Sequence, residues 1–398
     1  MSKLLWHSNA PWSPTGYGQQ TGLFAPQLAA HYDLAISSFY GLEGSPITWD
    51  GIPVFPGVGG QFGDEGLVQH AKHFFGGDPR DGLVVTLMDV WVLDTRWMEQ
   101  INVAAWVPVD HDPAPPKVVQ FFLDTGAVPI AMSQFGLQML GRLDPLYVPH
   151  GIDTDTYRPH DKKAVREQVG IPKDAFLVGM VAANKGRPSR KGFSQAFQAF
   201  ARFAERHDNA LLYLHTAVTP GYGAGEDIPA LLKALGIPQD RVMIADQYRV
   251  MYDPFSHESM AKIYSAMDVL MNPAMGEGFG IPVLEAQACG VPVVVTDFSA
   301  MRELAHAGWK VSHDRYWTGL NSWQAIPNVD EIATALEECH GLQDSQRKQL
   351  SKDARRHALK YALPRVVDEF MLPALRTAER RFSMQKPVTI KPRLKAAA

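Results

Sequence analysis

The sequence predicts an α/β protein made of two successive halves, each a parallel sheet wrapped by helices, facing one another across a cleft. Three observations carry this expectation. Short β-branched runs alternate with longer amphipathic segments along most of the 398 residues, the rhythm of strands and helices over a parallel sheet. The rhythm pauses and restarts near Lys163. A chain of this length with 46% apolar residues is also more than one hydrophobic core usually serves.

In the first half LLWHS reads as a strand, TGLFAPQLAAHY as a helix, and LAISSFY, GLVVTLM and NVAAWVPV as further strands. A helical PPKVVQFFLDT and the strands VPIAMS and LYVP complete it. HGIDTDTYRPHDKK is polar and rich in turn formers, so it reads as the linker. The second half runs through the strands FLVGMVAA, ALLYLHT, RVMIAD, VLMNP and VPVVVT, with GFSQAFQAFARFAERH, IPALLKALG, SHESMAKIYSAM and PVLEAQACG as helices between them. Two more helical segments follow Asp330. FSMQKPVTIKPRLKAAA has no apolar periodicity and reads as a flexible basic tail. The expected domains are residues 1–157 and 158–370, followed by a terminal helix and tail over 371–398.

Lys plus Arg number 38 against 42 for Asp plus Glu, a net charge of −4, which argues against a protein that coats nucleic acid. Only Cys289 and Cys339 occur, fewer than a secreted disulfide framework would use. The apolar run at the N-terminus is short for a signal peptide, and no stretch approaches the roughly 18 apolar residues of a membrane helix. The expected compartment is the cytoplasm, with no integral membrane segment.

Ligands of open parallel sheets sit beyond the carboxyl ends of the strands, so the post-strand loops carry the search. After the first strand, Gly16 and Gly18 almost begin a dinucleotide fingerprint, but Thr21 holds the third glycine's place and no acid closes the next strand. That loop is either a flexible turn or one that closes over a ligand. No GxxxxGK[ST] is present, which removes the P-loop kinases and ATPases. In the second half NKGRPSRKGF places Lys185, Arg187, Arg190 and Lys191 between a strand and a helix. A basic turn can be merely solvated, yet cations beside unpaired helical N–H groups make a phosphate site, and the position after a strand favours it. GEGFGIPVLEAQACG then sets Glu277 on a glycine-rich turn and Glu285 about one turn into the helix that follows. Carboxylates accept from vicinal hydroxyls, so one acid can face each sugar of a nucleotide sugar while Gly278, Phe279 and Gly280 let backbone approach it.

These residues resemble the retaining glycosyltransferases of family four, whose GT-B fold is two facing Rossmann-like domains. The Glu277 and Glu285 pair matches their E-x7-E signature, including FG after the first acid and the run from Glu285 through Val294. VPHGIDTDTYRP resembles the family's interdomain segment, with His150 in place of the usual asparagine. SRKGF resembles the KG motif, which implies Lys191 at the donor phosphates. By spacing the second phosphate-binding base falls on Lys185, with Arg187 as the alternative. VPVDHDP resembles the post-strand histidine motif and implies His111 near donor sugar and acceptor. The resemblance implies His111, Lys185, Lys191 and Glu277 as catalytic residues. Gly16, Gly18, Arg187, Arg190, Gly278, Phe279, Gly280 and Glu285 are expected to bind the donor.

Asp110-His111-Asp112 also spells a D-x-D metal motif, but the cations already neutralise a leaving diphosphate, so the aspartates read as local caps and no metal or other cofactor is expected. The expected partners are a UDP- or GDP-sugar as co-substrate and a glycan, lipid or protein acceptor. DNA ranks behind them on the strength of six basic residues between Arg380 and Lys395. A nucleotide-sugar epimerase and a non-catalytic nucleotide-sugar binding module on the same fold remain alternatives.

Overall fold

The computed structural model describes residues 1–219 and 225–385. Part of the basic tail, from residue 386 on, lies outside them. The first domain holds an eight-stranded sheet of β1 (Lys3–Asn9), β2 (Asp33–Tyr40), β3 (Ile47–Trp49), β4 (Ile52–Phe55), β5 (Leu83–Leu87), β6 (Val103–Val107), β7 (Val128–Ala131) and β8 (Leu146–Tyr147). Its order is β3-β4-β2-β1-β5-β6-β7-β8, parallel except for the β3–β4 hairpin at one edge. The second sheet is parallel throughout and contains β9 (Phe176–Val181), β10 (Ala210–His215), β11 (Val242–Ile244), β12 (Val269–Asn272), β13 (Val293–Thr296) and β14 (Gly308–Val311) in the order β11-β10-β9-β12-β13-β14. An antiparallel ribbon of β15 (His313–Trp317) and β16 (Trp323–Pro327) lies outside both sheets.

Every strand expected from the periodicity is present, and five short ones were not expected. The hairpin β3–β4 turns through Asp50 and Gly51, at φ 49° and 78°. Asp-Gly is the pair that a two-residue hairpin loop favours, so TWDGI carried the signal. The prolines around it and the three- and four-residue strands masked it. The central strands are buried on both faces, which makes them continuous apolar runs. Helix Phe193–Ala204 places Phe193, Phe197, Phe200 and Phe203 fully inside the second core, the i, i+4, i+7 spacing of one helical face.

The chain passes between the domains twice, and the two passages lie side by side. Ile152 forms a parallel bridge with Ala362, closed by Ile152 N–H to Tyr361 at 2.9 Å and Leu363 N–H to Ile152 at 3.0 Å. Beyond that point the chain packs on the first domain: Phe370 meets the ring of Tyr147, Arg381 pairs with Asp144 at 2.7 Å, and Val366, Met371, Leu375 and Ala378 share a buried cluster with Trp6, Phe24 and Leu28. We propose that the second crossing lies near Tyr361, ahead of the boundary expected at residue 370. Among the described residues no helix is long and apolar enough to cross a membrane.

One buried carboxylate ties the linker helix to the second sheet. Asp268 accepts from Lys162 and Arg166 at 2.6 Å each and from the Leu177 backbone N–H at 2.7 Å. Burial opposes its charge, but the two cations hold the carboxyl below the usual aspartate range. Removing one member of such a network leaves buried charge uncompensated, so Asp268→Asn should lower the unfolding free energy in a denaturant titration by about 3 to 5 kcal/mol. Because the folded pKa is depressed, the contribution is complete above the unfolded aspartate value and fades as pH falls through the folded one.

Candidate active site

Strand order decides where a ligand can sit. In the second sheet the order reverses between β9 and β12, and in the first between β1 and β5. Loops leaving such neighbours diverge to opposite faces and open a crevice. The loops at the two reversals are the basic turn after β9, the Glu277 turn after β12, the glycine loop after β1 and the Asp89 loop after β5. All four therefore belong to the crevices of the facing sheets.

Within the second domain, backbone packing joins the basic turn to the glutamate turn. Met275 N–H donates to Arg190 O at 2.7 Å, and Gly192 at φ 70° lies so close to Pro273 that a Cβ would stand 2.3 Å from its carbonyl oxygen. This approach delivers two cations to Glu277. Lys191 Nζ pairs with its Oε1 and Arg190 Nη1 with its Oε2 at 2.9 Å, while Glu277 N–H donates to Ser299 Oγ at 2.9 Å. Glu277 is 8% exposed. Burial works against its charge, yet Lys191 and Arg190 hold the carboxyl below the ordinary glutamate range. Burial in turn lowers the Lys191 ammonium, and Glu277 raises the Arg190 guanidinium.

The first domain adds His111 and two acids. His111 is buried, and its Nδ1 bonds Asp110 Oδ1 at 2.6 Å. A carboxylate there accepts from Nδ1–H, which leaves the neutral ring's lone pair on Nε2. Asp110 Oδ2 lies 3.9 Å from Arg190 and accepts from Gln324 Nε2 at 3.3 Å. Despite burial, the His111 bond and Arg190 keep Asp110 below its usual range. The expected capping role is thus corrected: Asp110 orients the histidine and faces the second domain's cation. Asp112 pairs with Arg315 at 3.6 Å and with the backbone of Trp323 on the ribbon. Asp89 was not foreseen, although LMDVW shows an acid closing a strand. It accepts from the Tyr17 hydroxyl at 3.4 Å, and burial together with Asp110 pushes it up to about 6.

Glu285 is 5% exposed and is therefore no solvent-facing helix acid. Its Oε2 accepts from Tyr264 at 2.8 Å, and its Oε1 accepts from Gln19 of the first domain at 2.6 Å. Gln19 follows the glycine loop by one helical turn and was not singled out from the sequence.

Several of the residues expected at the donor make close packing contacts. A Cβ on Gly18 would meet the carbonyl of Ser13 at 2.4 Å, so that glycine closes its own loop, whereas Gly16 is exposed and faces Ile281. Gly278 lies against Pro108, where a Cβ would come within 2.3 Å. Phe279 is buried between the rings of His150 and Tyr361 and belongs to the interdomain core. Gly280, at φ 114°, starts helix Ile281–Ala288. Lys185 is exposed on the loop, and Arg187 turns to the Gly225 carbonyl at 2.6 Å. The cation that joins Lys191 at Glu277 is Arg190.

The charges at the site explain Asp89. At Asp89 burial and the neighbouring Asp110 carboxylate outweigh the attraction of Arg190 and the hydrogen bond from Tyr17. Asp89→Asn should therefore stabilise the protein at pH 8 by about 1 to 3 kcal/mol and by roughly a third of that at pH 4.5, where the folded wild-type acid is neutral but the unfolded one is largely ionised. The sign follows from a raised folded pKa: wild-type stability declines as pH rises from the unfolded aspartate value to about 6. Thermal melts of both proteins at the two pH values check it, and an equal shift at both would contradict it.

Residues 176–340 match the family model described as glycosyl transferases group 1. The D-inositol 3-phosphate glycosyltransferase of Geodermatophilus obscurus is 31% identical over 239 residues, 59% of this chain and 48% of that protein. The protein of the same name from Saccharomonospora viridis is 30% identical over 227 residues, 56% and 48% of the two chains. The chain thus spans about half the length of these relatives. Among solved structures, sucrose-phosphate synthase from Thermosynechococcus elongatus superposes with a TM-score of 0.71 at 16% identity, over 96% of this chain and all of that one. Anabaena HepE in complex with UDP-glucose gives 0.66 at 15% identity, over 96% and 100%. At such identities the likeness shows the fold, two facing Rossmann-like domains of GT-B type. Residues 176–340 thus form a domain similar to those of the group 1 glycosyltransferases.

Proposed function

We propose that the protein is a metal-independent, retaining glycosyltransferase that moves a sugar from a nucleoside-diphosphate donor to an acceptor hydroxyl. The observation that carries this reading is buried Glu277 held between Lys191 and Arg190 at the second sheet's crevice, facing the His111–Asp110 pair of the first. Breaking the anomeric C–O bond leaves negative charge on the diphosphate. Fixed cations aimed at that charge supply the stabilisation that an ion would otherwise provide. Lys191 and Arg190 are those cations, and donor binding would share them between diphosphate and Glu277. Glu277 then holds sugar hydroxyls and balances the positive charge that develops on the ring.

The acceptor hydroxyl attacks from the face that the diphosphate leaves. Its oxygen bonds the anomeric carbon and its proton passes to a departing phosphate oxygen, so configuration is retained. His111, oriented by Asp110, lines the first-domain side of the same space. Domain closure excludes the water that would hydrolyse the donor. Anabaena HepE, solved with UDP-glucose, supports a uridine nucleotide sugar as the first donor to try. Two free, buried cysteines support the cytoplasm as the compartment.

Two variants and a chelator test this. Lys191→Ala should cut turnover roughly a hundred- to thousand-fold, about 2.7 to 4 kcal/mol, and weaken donor binding less, because its attraction grows as the leaving group gains charge. Glu277→Gln should cut turnover while free nucleoside diphosphate binds at least as tightly, since its two cations lose a competitor. Steady-state kinetics beside calorimetry measures both, and parallel losses of affinity and turnover in Glu277→Gln would remove the acid from the sugar. Activity should also survive a chelator; loss restored by manganese would return Asp110 and Asp112 to a metal role.

A further inference from the structure

We infer that Gln19 of the first domain is a nucleotide-binding residue, and that with Glu285 of the second it forms a two-domain clamp on the donor's ribose diol. This rests on the nucleotide-sugar reading above and adds a residue that places one side of the ribose site on the opposite domain.

The starting point is access to a buried carboxylate. Tyr264 Oη covers Glu285 Oε2 at 2.8 Å, and Tyr264 is itself fully buried. Oε1 is met by Gln19 Nε2 at 2.6 Å, and Gln19 is part exposed. A hydroxyl that reaches Glu285 therefore approaches Oε1 from the side where the Gln19 amide stands. Each carboxylate oxygen accepts more than one hydrogen bond, and a primary amide carries a second N–H and a carbonyl oxygen. Two vicinal hydroxyls can thus be met together, one donating to Glu285 Oε1 and the other bonding the amide.

Spacing along helix Gly16–Ala29 supports the same placement. Gly16 opens that helix and faces Ile281, the first residue of helix Ile281–Ala288, so the two helix starts converge. Gln19 lies three residues on, about 5 to 6 Å along the same face. That is also the order of the distance from a nucleotide's diphosphate to its ribose diol. One face of one helix thereby meets diphosphate at Gly16 and ribose at Gln19, with Glu285 opposite.

The test compares a nucleoside diphosphate with its 2′,3′-dideoxy counterpart by calorimetry, using whichever of UDP, GDP and ADP the wild type binds tightest. Wild type should bind the dideoxy compound at least ten-fold more weakly, the loss of hydrogen bonds to a charged group. Gln19→Ala should weaken the natural nucleotide roughly three- to ten-fold and leave the dideoxy compound within two-fold of wild type. Gln19→Met keeps the side chain's length without its polar atoms and should repeat that pattern, with thermal melts verifying that both variants are folded. An equal penalty on both ligands, no penalty, or a gain in affinity would overturn the clamp while leaving the nucleotide-sugar reading standing. A wild-type protein that binds none of the three nucleotides would overturn that reading, and the clamp with it.

Discussion

Burying the charge of Glu277 is the constraint on which the rest of the site depends. A carboxylate removed from water needs cations close by, and here Lys191 and Arg190 supply them from a neighbouring loop. For those side chains to arrive, the loops after β9 and β12 must touch along their backbones. That requires a glycine at 192, the Met275–Arg190 hydrogen bond, and Ser299 beneath the turn. The second sheet's strand order makes the two loops neighbours at the outset. Catalytic potential and structural demand therefore meet in one cluster: the cations that stabilise the acid are the ones a leaving diphosphate would use.

The first domain is held against this cluster by contacts that are largely polar. Asp110 faces Arg190, Gln19 reaches Glu285, and Glu303 accepts the Gln134 backbone N–H at 2.9 Å, its carboxyl pushed up to about 7 by burial. Gly276 and Gly278 lie against the backbone and side chain of the Pro108–Asp110 loop, where a larger residue would keep the domains apart. Apolar packing lies elsewhere, where Phe279 meets His150 and Tyr361 edge-on beside the paired crossings of the chain. Polar contacts at the crevice with apolar packing behind it is the arrangement expected of two bodies that pivot about one edge.

Much of this was legible in the residues. The alternation of apolar runs marked the strands of both sheets except β3, β4 and β14, and the E-x7-E spacing with the KG turn marked the second domain's half of the site. Arg190 was in view as one of four bases, but nothing in a linear spacing says which base turns inward. Lys185 and Arg187 fit the pattern equally well, and the backbone contact at Met275 selected Arg190. Phe279 sits between two residues that line the turn, yet its ring points into the core, because a side chain that large in a glycine run is placed by its packing partners. Asp89 and Gln19 stand at visible positions, after a strand and after a glycine loop. Their meaning comes from residues 21 and 266 positions away, Asp110 and Glu285.

The sequence by itself determined the elements, the two-domain α/β plan and the chemistry on offer, because periodicity, turn formers and local spacing act over a few residues at a time. Tertiary structure alone decided which charges pair, which acid burial pushes up, which glycines serve packing, and where the terminal helices come to rest. Those outcomes turn on approach distances between segments remote in the chain, and burial then turns small differences in distance into large differences in electrostatic energy.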